Sequence, residues 1–158
     1  MASTAPKRGG EASMVHPTLE PFGAFIDQWQ TTGSHLYFPG VILHGQTSFD
    51  WLEGGVFLIM RSMMKDPRFP DGVAIFGSDD MAKTFFLLYF DERGVSRKYD
   101  VTMTGHQLMW WRDDPSFSQR LTLTIEDDGD KMVGQGEMSR DGAAWEQDIA
   151  LMYERRPA

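Results

Sequence analysis

The chain has 158 residues, 41% hydrophobic and 13% aromatic, which suits one folded domain with a substantial core. A formal net charge of -8 lacks the electrostatic footprint that phosphate backbones and anionic bilayers demand, so neither nucleic acid nor membrane is an expected partner. Without cysteine there is no disulfide scaffold, thiol catalysis or thiolate metal site, and no apolar run suggests a span or a secretory leader, so a cytoplasmic protein is expected.

Residues 1–16 are small, glycine-rich and basic and are expected to form a disordered tail, with Met14 as a second candidate start. Residues 17–158 read as a single domain. Pro17–Gln28 is the one helical stretch: Pro21 suits a first turn, and Phe22, Phe25, Ile26 and Trp29 recur at helical spacing. Such an aromatic stripe points to a plug at a barrel end rather than to a lid. The rest alternates strand patterns with turns. Strands are expected over Gln30–Phe38, Val41–Asp50, Val56–Met64, Val73–Gly77, Thr84–Phe90, Ser96–Met103, Gln107–Arg112, Gln119–Ile125, Met132–Met138 and Trp145–Glu154. Pro39-Gly40, Glu53-Gly54-Gly55, Asp91-Glu92-Arg93-Gly94, Thr104-Gly105 and Arg140-Asp141-Gly142 supply turns, and the diproline segment 65–72 a longer rim loop. About ten short strands at even spacing predict an all-β antiparallel up-and-down barrel.

Alternation divides each strand into two faces. Trp145, Gln147, Ile149, Leu151 and Tyr153 are expected to face inward, as are Phe117, Gln119, Leu121, Leu123 and Ile125, and Arg97, Tyr99, Val101 and Met103. Thr84–Phe90 is apolar on both faces, so helix or partner should cover one of them. Trp110 and Trp111 fall on opposite sides. The inward sets mix Arg97, Gln119, Gln147 and Tyr153 with large apolar groups. Polar groups in a solid core are costly without partners, which favours a pocketed barrel.

Among strand arginines 61, 97, 112 and 120, the phase turns Arg97 inward and Arg120 outward, and an outward arginine is expected to pair with Asp100, Glu126 or Glu137 on a neighbouring strand. Arg112 shares a face with Leu108 and Trp110. Arg97 and Arg112 are therefore the candidate anchors for a ligand carboxylate. The candidate ligand-binding set is Arg97, Tyr99, Trp110, Arg112, Gln119, Gln147 and Tyr153. His35 and His44 lie on the first two strands without metal-ligand spacing, and the acidic turn at 126–130 lacks the distal glutamate of a calcium loop, so no metal is expected. No phosphate loop, dinucleotide fingerprint or Gly-x-Ser-x-Gly element occurs. Eleven methionines supply adaptable packing.

The meander, the chain entering near Trp29 and the basic Arg155 after Tyr153 resemble the calycin superfamily of lipocalins and fatty-acid-binding proteins. Phe49–Arg155 is similar to a bacterial family of calycin-like domains of unknown function. The resemblance rests on Phe49-Asp50-Trp51-Leu52-Glu53-Gly54-Gly55, Tyr89-Phe90-Asp91-Glu92-Arg93-Gly94-Val95, Phe117-Ser118-Gln119-Arg120, Ser139-Arg140-Asp141-Gly142 and Trp145-Glu146-Gln147-Asp148. It implies a barrel with a pocket. The usual Gly-x-Trp is replaced by Asp27-Gln28-Trp29. The Gly-x-Trp-x-Gly stretch and late histidine of heme-binding members are also missing, so no cofactor is expected. The leading expectation is a binding protein for a small, largely apolar or amphipathic molecule. The alternatives are a cofactor-free lyase or isomerase using Tyr, Arg and carboxylate groups, and a module that homodimerises through Thr84–Phe90.

Overall fold

Turn chemistry sets the topology. Glycines 55, 94, 105, 129 and 142 all adopt positive φ between strands, where a side chain would be strained. The strands they separate pair with their sequence neighbours. A computed structural model describes residues 15–126 and 128–157. A 3-10 helix, Pro17–Phe25, precedes β1 (Asp27–His35), β2 (Leu43–Leu52), β3 (Phe57–Met64), β4 (Gly72–Asp79) and β5 (Thr84–Asp91). Then come β6 (Ser96–Thr104), β7 (Gln107–Arg112), β8 (Ser118–Ile125), β9 (Lys131–Ser139) and β10 (Glu146–Arg155). All pairings are antiparallel between consecutive strands, and β10 returns to β1, closing a ten-strand barrel. The expected all-β barrel is the observed one. Most of the expected tail lies outside the described residues, but its last two belong to the barrel: His16 N–H donates to Gly55 O at 2.8 Å.

The helix is shorter than expected and of the tighter 3-10 form. Pro21 sits inside it and removes a donor, and the chain turns extended at Ile26, so Trp29 becomes a β1 residue. The plug reading holds. Leu19, Phe22 and Phe25 are buried; the Phe22 ring meets Phe76 and Phe85, and Phe25 meets Phe49. Trp29 is fully buried, and its Nε1–H donates to Phe25 O at 2.9 Å. Arg155 caps this end. Its guanidinium lies 4.3 Å from the Trp29 ring centre and donates to Gly129 O, Ala24 O, Ile26 O and Asp27 Oδ2. One cation thus ties helix, β1, β10 and the β8–β9 turn together.

Thr84–Phe90 is two-faced as expected, but no element among the described residues covers its outer side. Phe85, Leu87 and Tyr89 pack inward, whereas Leu88 and Phe90 are exposed and Lys98 lies over Phe86. Among the described residues no helix is long and apolar enough to cross a membrane.

Replacing Arg155 by Met should keep the aliphatic contact with Trp29 but orphan three carbonyls and Asp27. We expect a loss of about 2 kcal/mol in urea unfolding, from charged hydrogen bonds and the cation–π contact; an unchanged midpoint would show that the clamp contributes nothing.

Candidate functional site

Because the helix plugs the end where β1 begins, the barrel interior opens at the other end. That end is bordered by the β1–β2, β3–β4, β5–β6, β7–β8 and β9–β10 connections. The space between is a cavity of about 640 Å³, within the range of small-molecule sites. Its apolar wall includes Met60, Met64, Leu87, Trp110, Leu121 and Leu151. The Trp110 ring packs edge-on against Phe76, which carries the cavity floor onto the plug.

Five of the seven residues expected from sequence line this cavity: Arg97, Tyr99, Trp110, Gln119 and Tyr153. Arg97 and Tyr99 alternate inward on β6, and Gln119 inward on β8. Gln119 Oε1 accepts from Arg97 Nη1 at 3.2 Å and from the Tyr99 hydroxyl at 3.0 Å, so the three side chains form one hydrogen-bonded group. Tyr153 stands on β10, opposite Thr31 of β1, and is buried. Burial pushes its phenol well above the ordinary tyrosine range.

Two expectations are corrected. Gln147 is exposed and outside the cavity, because a bulge between Gln147 and Ile149 inserts one residue and reverses the alternation. Asp148 takes the cavity-lining place, with Oδ1 accepting from the Ile149 N–H at 2.8 Å. Arg112 closes β7 at the rim and leans toward Asp114, at 4.0 Å, instead of lining the cavity. Arg120 lies on the other face of β8 from Gln119 and is paired with Glu137 at 2.8 Å, as the phase implied, and Trp145 stacks on its guanidinium at 4.0 Å. That pair borders the cavity margin. His44 faces Thr32 across the sheet rather than His35.

Rim residues that strand-based reasoning passed over complete the mouth. His35, Tyr37, Phe38 and Phe69 cluster with ring centres 5.3 to 5.9 Å apart, and Arg68 lies over Phe38 at 4.0 Å. Arg140, in the adjacent β9–β10 connection, donates to the Tyr37 hydroxyl. Prolines 67 and 70 marked segment 65–72 as a rim loop; the rim position of the other two loops and the side-chain contacts among them carried no sequence signal.

Arginines 68, 93, 97, 120 and 140 all border the cavity, although the chain is strongly acidic. Arg68 is paired with Asp66, whose carboxyl it holds down at about 2. Arg93 is paired with Asp91. Its hydrogen bonds hold that carboxyl far below the usual range against the opposing effect of burial, with help from the Tyr89 hydroxyl, which donates at 2.8 Å. Burial first, then the hydrogen bond to Asp91 and its charge, raises the Tyr89 phenol. Tyr89 in turn meets the Tyr99 ring edge-on at 6.4 Å. Arg97 has no carboxylate partner among the described residues; its one hydrogen bond is to a neutral amide. No cluster of three His, Asp or Glu able to hold a metal occurs among the described residues.

The fold has known counterparts. Rv2717c from M. tuberculosis superposes with a TM-score of 0.66 at 12% identity, covering 91% of this chain and all of that one. The S-type phycobiliprotein lyase CpeS from Guillardia theta gives 0.57 at 8% identity, covering 87% of this chain and 91% of that one. Both share the ten-strand antiparallel barrel. No family model matches the sequence, and neither does any curated protein, so the narrower bacterial family suggested by Phe49–Arg155 is not identified.

Asp91 links the rim to Tyr89, which gives a pH test. Its folded pKa is depressed, so its stabilisation is complete above the unfolded value near 3.9 and is lost as pH falls toward the folded one. Asp91→Asn should therefore lower stability at neutral pH and flatten the decline in urea stability below about pH 4. A variant that parallels the wild type across that window would contradict the assignment.

Proposed function

We propose that the barrel binds, non-covalently, a small and largely apolar molecule with one acidic end. The apolar body would lie against Met60, Met64, Leu87, Trp110 and Leu151, and the acid group would meet Arg97. The observation that carries this reading is Arg97 itself, a cavity-lining guanidinium with no carboxylate partner among the described residues. A partly desolvated cation of that kind is stabilised by an anion, and a guanidinium suits a carboxylate in bidentate fashion. Met60 and Met64 add an adaptable surface for an irregular ligand.

A cofactor-free lyase or isomerase is the second reading. Asp148 favours it as a cavity-lining carboxylate without a cationic partner among the described residues, and one structural neighbour is a phycobiliprotein lyase. Against it, the Tyr89 and Tyr153 phenols are held protonated, which suits hydrogen-bond donation better than proton abstraction. The homodimer reading has only the exposed Leu88 and Phe90 in its favour, a patch that nothing present covers.

Native mass spectrometry of protein purified from its own host is the direct test. The expected result is a stoichiometric adduct that denaturation releases as an intact amphipathic acid. Arg97→Met should weaken rebinding of that compound roughly tenfold or more, the effect of one charge-assisted contact. Recovery of an unliganded protein that binds no acid of this class would defeat the proposal.

A further inference from the structure

Two walls of the cavity offer free hydrogen-bond donors. On the β6–β8 side, Gln119 Oε1 accepts from both Arg97 and Tyr99, which orients its amide and leaves Nε2 without an acceptor among the described residues. The remaining guanidinium N–H groups of Arg97 are likewise uncommitted. On β10, two strands around the ring from β8 and four from β6, Tyr153 is only 4% exposed and has no hydrogen bond among the described residues. Yet every fully buried side-chain nitrogen and oxygen among those residues has a partner. The Tyr153 hydroxyl is therefore not sealed in the core; it opens onto the cavity that Tyr153 lines. The nearby hydroxyls of Thr31 and Thr47 satisfy each other at 2.9 Å and do not consume it. Burial keeps the phenol protonated, so a hydrogen is available to give.

We propose that the ligand has a second polar group, a carbonyl oxygen accepting from Tyr153, and so is an oxo acid rather than a plain fatty acid. This rests on the binding reading above and narrows its ligand class. A plain alkyl chain would leave the Tyr153 hydroxyl desolvated without a partner, whereas a chain bearing a keto group supplies the acceptor. Sites built to hydrogen-bond a ligand group discriminate strongly against the analogue that lacks it.

The test is calorimetric titration of wild type and Tyr153→Phe with laurate and a positional series of keto-laurates. At least one keto-laurate should bind the wild type roughly tenfold tighter than laurate. Tyr153→Phe should abolish that advantage by weakening the keto acid, while laurate, freed from the unpaired hydroxyl, binds at least as tightly as to the wild type. The stretch of a carbon-13-labelled keto group should also shift to lower frequency when bound to wild type, a readout that does not depend on how the variant folds. Laurate binding with no keto preference, or an unshifted carbonyl, would overturn the oxo-acid inference and leave the binding reading standing. Failure of every acid to bind would sink both.

Discussion

Everything in this molecule depends on closing the sheet between β1 and β10, because that step decides how much interior there is. Eight strands enclose a bore that side chains just fill; ten enclose more than they can. The surplus has to be filled or left open, and the chain does one at each end. At the β1 start, Phe22, Phe25, Trp29 and Phe49 fill it, and Arg155 pins the filling to both closing strands. At the opposite end no helix closes the bore among the described residues, and glycines 134 and 136 of β9 leave room for the side chains of Leu121, Leu123, Ile149, Leu151 and Tyr153 from the flanking strands. A Cβ at Gly136 would run into Ile149 and the Asp148 carboxylate. The pocket is thus a consequence of strand number combined with a plug that reaches one end only.

The strands and their order were legible because the turns between them carry explicit chemistry, such as Thr104-Gly105 and Arg93-Gly94, and because a period of two assigns faces without further information. Arg97, Tyr99, Gln119 and Tyr153 were found by that period alone. It failed where the backbone departs from it. Nothing in Trp145–Ile149 announces the bulge that turns Gln147 out and Asp148 in, since a bulge is settled by pairing with β9, not by local propensity. Arg112 failed for a related reason: the last residue of a strand retains the phase but not the neighbours that would hold its side chain inward. The rim cluster of His35, Tyr37, Phe38 and Phe69 joins two loops separated by some thirty residues of chain, a proximity that the β2–β3 pairing between them creates and no local sequence signal announces.

The distribution of charge separates recognition from mere exposure. A chain with a net charge of -8 gathers five arginines around one opening, and their surroundings differ. Arg68, Arg93 and Arg120 each spend their charge on a carboxylate at 2.6 to 2.8 Å, and those carboxylates are held ionised in return. Such exposed or half-exposed pairs contribute little to stability, but they neutralise the rim, so the field inside the mouth is set by the charges left over. Among the described residues Arg140 reaches only a tyrosine hydroxyl and Arg97 only an amide. The deeper wall presents phenols that burial keeps protonated. Apart from Asp148, the polar groups left over on β6, β8 and β10 are donors, and with thioether and aliphatic groups around them they suit a guest that brings acceptors at separated points along an apolar frame. Acid–base chemistry would need the converse, a base with its proton-accepting atom free and its pKa drawn toward neutrality. Among the described cavity groups whose ionisation is displaced, Tyr89, Tyr153, Glu137 and the guanidiniums of Arg68, Arg93 and Arg120, each moves away from that range, which is the physical reason for placing binding ahead of turnover.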